Sequence, residues 1–153
     1  MKCVSIWNPY ALLIAHGHKT IETRGWPAPK SLIGQRIGIA STKTIRPEQK
    51  ATLDDPAFMT FYGPTGLPSK IESMPNGCLV ATAILRSSDL IEAEDLEDIT
   101  EEEKMFGWFS VGRYAWRLRY VERLPAPLPV RGAQGIWELD DHELRRAAFH
   151  SVS

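Results

Sequence analysis

Within HGHKTIETRGW, residues 16 to 26, the side chains of Lys19, Glu22 and Arg24 lie close enough in sequence to act together. A carboxylate that pairs with an arginine fixes the guanidinium, whose remaining N–H donors then point in one direction. A neighbouring ammonium adds a point charge. In a concave setting the three could hold a phosphate or the hydrogen-bonding edge of a base. Lys19 and Glu22 could also work as an acid–base pair, were burial to shift their pKa values. The spacing is equally that of a solvated Glu–Arg pair on a surface strand, so spacing alone does not choose.

Other segments must position this cluster. KCVSI reads as a short strand. Asn8 is a good helix N-cap, Pro9 suits the first helical position, YALLIAH supplies an apolar helix, and Gly17 is placed to end it. KTIETR returns as a strand. Period-two alternation puts Thr20, Glu22 and Arg24 on one face and Lys19, Ile21 and Thr23 on the other. After the breaker WPAP, a strand resumes from about residue 35, and RPEQKATL starts a helix. Residues 55–77, rich in proline and glycine, read as a long loop with helical turns. CLVATAILRSSDLI is the strongest strand, with an apolar start that implies burial on both faces. AEDLEDITEEEKMF reads as an acidic, solvated helix or helical loop. RYAWRLRYVERL alternates Tyr114, Trp116, Leu118 and Tyr120 against Arg113, Arg117 and Arg119. PAPLPV reads as a stiff connector, GIWEL as a last strand, and DDHELRRAAF as a closing helix capped by Asp140 or Asp141. Six strands interrupted by helices predict an α+β fold around a small, mostly antiparallel β-barrel with flanking helices.

The chain has 153 residues, which suits one domain with a real core. No apolar run approaches the roughly 18 residues needed to span a bilayer, and MKCVSIWNPY lacks a signal-peptide apolar region. A cytoplasmic protein with no membrane contact is expected. Cys3 and Cys78 match no CxxC pattern and read as reduced, buried thiols. The formal net charge of −1 conceals segregation: residues 1–50 carry +6, 51–105 carry −9, 106–137 carry +4 and 138–153 carry −2. If the two basic stretches meet in the fold, they make a positive face that attracts phosphate-rich partners.

No GxSxG, P-loop, GxGxxG or HExxH motif is present. His16 and His18 lack further ligands nearby, so neither a metal nor any other cofactor is expected. GRYAW contributes Arg113 and Tyr114, and PVRGAQGIW contributes Arg131 and Gln134 in a glycine-flanked loop that backbone-close ligands could approach. Most of the five tryptophans read as core, Trp116 first, whereas Trp7 and Trp26 bracket the charged cluster and are candidates to stack on a base.

GHKTIETR carries the pattern G-x-K-x-x-E-x-R, and the chain resembles the ASCH domain family at Gly17, Lys19, Glu22 and Arg24. The resemblance extends in order through VSIWNPYALLIAHG, IGIASTK, GCLVATA, GRYAW and PVRGAQGIW, covering most of residues 2–139. It implies one PUA-like domain over 1–139, followed by a helical tail over 140–153. It also implies a cleft between the first helix and the barrel, with RNA, DNA or a nucleoside or nucleotide as ligand. Lys19, Glu22 and Arg24 are the signature positions, and Ser41 is the small polar residue near the cleft. Lys19, Arg24, Lys43, Arg113 and Arg131 would contact phosphate, Glu22 would orient Arg24 or accept from a base, and Tyr114 belongs to the late motif of Arg113. Some small relatives are amidohydrolases on acetylated cytidine, with a nucleophilic threonine where this chain has Glu22, and ribonuclease activity has been proposed for others. In either scheme Lys19 and Glu22 would be the catalytic pair, but a carboxylate replaces the hydroxyl poorly. A nucleic-acid-binding module is therefore the leading reading. A metal-independent hydrolase and a protein-interaction module using the acidic segment are the alternatives.

Overall fold

The apolar run expected to be buried on both faces becomes β4 (Cys78–Leu90), in the middle of a six-stranded sheet. In the computed structural model, which describes residues 1–145, β4 pairs antiparallel with β3 (Arg36–Ser41) and with β5 (Tyr114–Pro129). β1 (Lys2–Ile6) lies parallel to β3 and antiparallel to β6 (Ile136–Glu138), while β2 (Ile21–Arg24) lies antiparallel to β5. The order is β2-β5-β4-β3-β1-β6. The sheet curls into a half-barrel until its ends approach. Arg24 Nη2 on β2 donates to Ser5 O on β1 at 2.8 Å, although β5, β4 and β3 separate these strands.

The concave side is filled by α1 (Tyr10–Ala15), whose Ala11 and Ile14 pack with Ile6, Ile39, Leu85 and Trp116. The N-cap falls on Pro9 rather than on Asn8, one residue later than expected, and Asn8 instead braces the helix from just before it, its Oδ1 accepting from Leu12 N at 3.1 Å. Behind α1, Leu13 joins a second core with Phe58, Tyr62 and Phe106. Those aromatics come from α3 (Pro56–Tyr62) and from the end of α4 (Glu101–Met105), and α2 (Pro47–Asp54) adds Leu53. The segment expected as a loop thus contains α3 and two short 3-10 turns.

Three expectations are corrected. PAPLPV is no connector but continues β5 to Pro129. β2 covers β5 only over residues 114–117, so the later prolines lie on an open edge where a missing N–H costs little. The alternation of β5 fails at Tyr120, which is exposed and has φ +52°, because a bulge there inserts an extra residue and Val121 takes the inward place. The acidic segment, folded as a 3-10 turn (Ala93–Asp98) followed by α4, is not wholly solvated, since Glu103 is buried. At the C-terminal end Asp140 Oδ1 accepts from His142 N, and a helix begins over 141–145. The rest of that expected helix lies outside the described residues. Among the described residues, no helix is long and apolar enough to cross a membrane.

Candidate functional site

The register of β2 decides where its charges go. Glu22 stands opposite Trp116 and Arg24 opposite Tyr114, so both project to the concave face, beside a tryptophan that is itself core. Ile21 takes the outer face, covered by Ile91, Leu96 and Phe109. A strand that reads as a surface strand is therefore covered on its Ile21 side and mostly enclosed on the other. Its charged face fronts a cleft of about 1250 Å³ beside the half-barrel.

Lys19 is completely buried and is not among the residues lining this cleft. Its Nζ donates to Ile21 O and Phe106 O. β2 begins only at Ile21, so the alternation that put Lys19 opposite Glu22 does not apply; Nζ lies 3.8 Å from Glu22 Oε1. Burial lowers the pKa of Lys19, while Glu22 and Glu103 pull it back up. Glu103 in turn accepts from Thr20 N at 2.9 Å and from Thr20 Oγ1 at 2.7 Å. The ammonium thus ties β2 to the end of α4 and sits behind Glu22. Sequence reasoning missed Glu103, because one buried acid in a run of nine between Asp89 and Glu103 carries no distinguishing signal.

Glu22 lines the cleft, backed by Lys19 on one oxygen and by Arg24 Nη2 at 3.2 Å on the other. The Arg24 guanidinium lies 5.9 Å from the centre of the Trp116 ring. Trp7 and Trp26 both line the cleft, 39% and 41% exposed. Trp26 meets Trp116 edge to face at 5.0 Å, and its carbonyl accepts from Trp116 Nε1. Arg113 reaches the rim, donating through Nη2 to Thr23 O and through Nε to Trp108 O. Lys43 and Arg131 also line the cleft. The glycines around Arg131 earn their place: Gly135 has φ +70°, and a Cβ on Gly132 would lie 3.3 Å from the Trp137 ring.

Besides Lys19, two further expected site residues are placed differently. Tyr114 packs half-buried against the core and does not line the cleft. Ser41 lines it, but its hydroxyl is engaged by backbone, donating to Pro75 O and accepting from Cys78 N at 3.1 Å. Ser41→Ala should therefore cost about 1–3 kcal/mol in urea denaturation, by orphaning buried groups, and leave ligand affinity unchanged.

The sequence reading did not single out Trp108, Tyr10, Arg46 or Gln49. Trp108 is 67% exposed at the cleft, with the Arg113 guanidinium 4.1 Å over its ring. Tyr10 and Arg46 also line the cleft, the Tyr10 ring 5.8 Å from Lys19 Nζ, and Gln49 braces the α2 end by donating to Asn8 O at 2.8 Å. The available signal was the basic bias of residues 1–50, which includes Arg46. Among the described residues, no group of three or more His, Cys, Asp or Glu could hold a metal ion. His16 instead accepts from Arg123 Nη1 at 2.6 Å through Nδ1.

A curled α+β half-barrel with a cleft at its first helix, where Glu22 and Arg24 front the opening and Lys19 is buried behind them, is a PUA-like fold. Residues 4–127 match the ASCH domain, and the chain belongs to this family, a PUA-like module associated with RNA binding. Activating signal cointegrator 1 from Homo sapiens is 24% identical over 139 residues, which make up 90% of this chain but 22% of the human protein. The same protein from Mus musculus matches to the same extent. The chain thus spans about a fifth of the length of these relatives. The crystal structure of ASCH from Zymomonas mobilis is similar with TM-score 0.55 and 16% identity, over 97% of this chain and 93% of that one.

Proposed function

We propose that the cleft binds a short stretch of single-stranded nucleic acid, RNA in the first place. One observation carries this reading: three exposed tryptophans, Trp7, Trp26 and Trp108, share a cleft with Arg24, Lys43, Arg46, Arg113 and Arg131. Against these five cations the same cleft holds the carboxylates Glu22 and Glu48, and Glu22 is already paired with two cations. Cationic grooves with aromatic platforms track a phosphate backbone while bases stack. The cleft also exceeds the roughly 300–1,000 Å³ of small-molecule pockets, so more than one nucleotide fits. Glu22, an acceptor with its cationic partners behind it, would meet an amino group on a base.

Fluorescence anisotropy with short RNA and DNA oligonucleotides tests this. Affinity should fall steeply with salt, and Trp26→Ala should lose about 1–3 kcal/mol of binding. Absence of binding at low salt removes the reading.

A hydrolase reading is favoured by the 3.8 Å approach of Lys19 to Glu22 at the cleft wall. Against it, two backbone carbonyls already occupy the ammonium, away from the open space. Incubation with acetylated cytidine and with labelled RNA decides; turnover lost in Glu22→Gln would install it.

A further inference from the structure

The face of the sheet turned away from the core carries a second cationic surface. Arg36, Ile84 and Arg119 form one row across β3, β4 and β5, and Ser87 and Arg117 form the next across β4 and β5. Directly paired residues share a face. The intervening Ile37, Ala83, Leu85 and Leu118 are core, so these arginines project outward. Arg86 joins them, exposed at the irregularity between Leu85 and Ser87. Among the described residues, Arg86, Arg117 and Arg119 make no ion pair, and Arg36 reaches Glu122 only at 3.8 Å. Glu122 and Asp89 are the carboxylates at the two ends of this face.

Tyr120 stands in the same place. Its φ is +52° and its side chain is 78% exposed, while Arg36 Nη1 holds its carbonyl at 3.1 Å. A side-chain-bearing residue in the left-handed region is strained, and such strain persists where the surroundings impose it. Packing gains nothing from the ring, since Val121 takes the place against the core. The outcome is an aromatic ring presented beside unpaired guanidinium groups. This surface is separate from the cleft, because Ile91 and Leu96 cover Ala115, which lies between Arg113 and Arg117 on the chain.

We propose that this outer face is a second nucleic-acid contact. Arg86, Arg117 and Arg119 would hold the phosphodiester backbone of a strand longer than the cleft can seat, and Tyr120 would stack on an unpaired base. Two features favour nucleic acid over an acidic protein. Every cation here is an arginine, whose planar fork matches phosphate, and a solvent-facing aromatic on a sheet is a platform for bases. The proposal rests on the reading of the cleft only for the class of partner, not for the surface itself.

The test compares two fluorescein-labelled RNAs, one of about four nucleotides that fits the cleft and one of about sixteen. Arg117→Gln/Arg119→Gln should bind the long probe at least ten-fold more weakly at low salt and reduce the slope of log K against log salt by about 1.4, at about 0.7 per phosphate contact. The short probe should be bound as before. Arg117→Lys/Arg119→Lys should keep most of the slope. Tyr120→Gly should be as stable as the parent or more so, yet bind the long probe about ten-fold more weakly. Trp26→Ala reports on the cleft separately, by weakening the short probe. If the short probe fails to bind while the long one depends on Arg117 and Arg119, the cleft reading falls and this one stands. Unchanged long-probe affinity and slope in the glutamine variant overturn the proposal. Self-association in sedimentation that the glutamine variant abolishes, without any effect on RNA, also overturns it and assigns the face to a second copy.

Discussion

Lys19→Met is expected to lower the unfolding free energy by about 3–5 kcal/mol, the range for removing one partner from a buried charge pair. The ammonium is fully buried and donates to Ile21 O and Phe106 O, with Glu22 Oε1 at 3.8 Å. Methionine fills much of the volume but leaves two carbonyls without a donor and Glu22 with one cation fewer. Glu103, which also interacts with Lys19 and whose buried Oε2 has no hydrogen-bond partner among the described residues, becomes more isolated. For a chain of this size the loss corresponds to a fall in Tm of about 6–20 °C. Combining it with Glu22→Gln should recover part of that loss, because the stranded charge disappears. Urea denaturation of the two single variants and the double variant checks this. A cost below about 1 kcal/mol for Lys19→Met would show that the lysine does not anchor β2 to α4.

Arg24→Met should cost roughly 2–4 kcal/mol and weaken oligonucleotide binding at least ten-fold. This one guanidinium bonds Glu22 Oε2 and Ser5 O, so it neutralises the cleft carboxylate and joins the two ends of the curled sheet. Its loss leaves Glu22 facing the cleft with only Lys19 to offset it, and a phosphate would then meet a partly uncompensated carboxylate where the guanidinium stood. Arg24→Lys should not rescue either property, since a single ammonium cannot reproduce the planar fork toward two acceptors. Denaturation and anisotropy on the same preparations separate the effects. Full affinity in an Arg24→Met protein that still folds would remove Arg24 from the binding surface.

Much of the scaffold was legible along the chain. The six strands, the first helix after Asn8 and Pro9 and the buried start of β4 follow from local pattern, because alternation and helix-start residues are properties of neighbouring positions. The errors share one cause. Lys19 was assigned to a face of a strand it precedes, Tyr120 to an alternation that a bulge breaks, and Glu103 to a solvated run from which it is withdrawn. Each depends on a partner far away in sequence: Phe106 for Lys19, β4 for Tyr120, Thr20 for Glu103.

The α+β class, the order of the elements and the charged triplet at Lys19, Glu22 and Arg24 can be read along the chain, since residue type and spacing set them. What each member of the triplet does depends on how distant segments pack. Curling of the sheet turned Glu22 and Arg24 toward a cleft and sealed Lys19 behind them, and it brought Trp108 and Arg46 to the same opening. Burial and charge proximity are properties of packed surfaces, and along this chain the groups that create them lie dozens of residues apart.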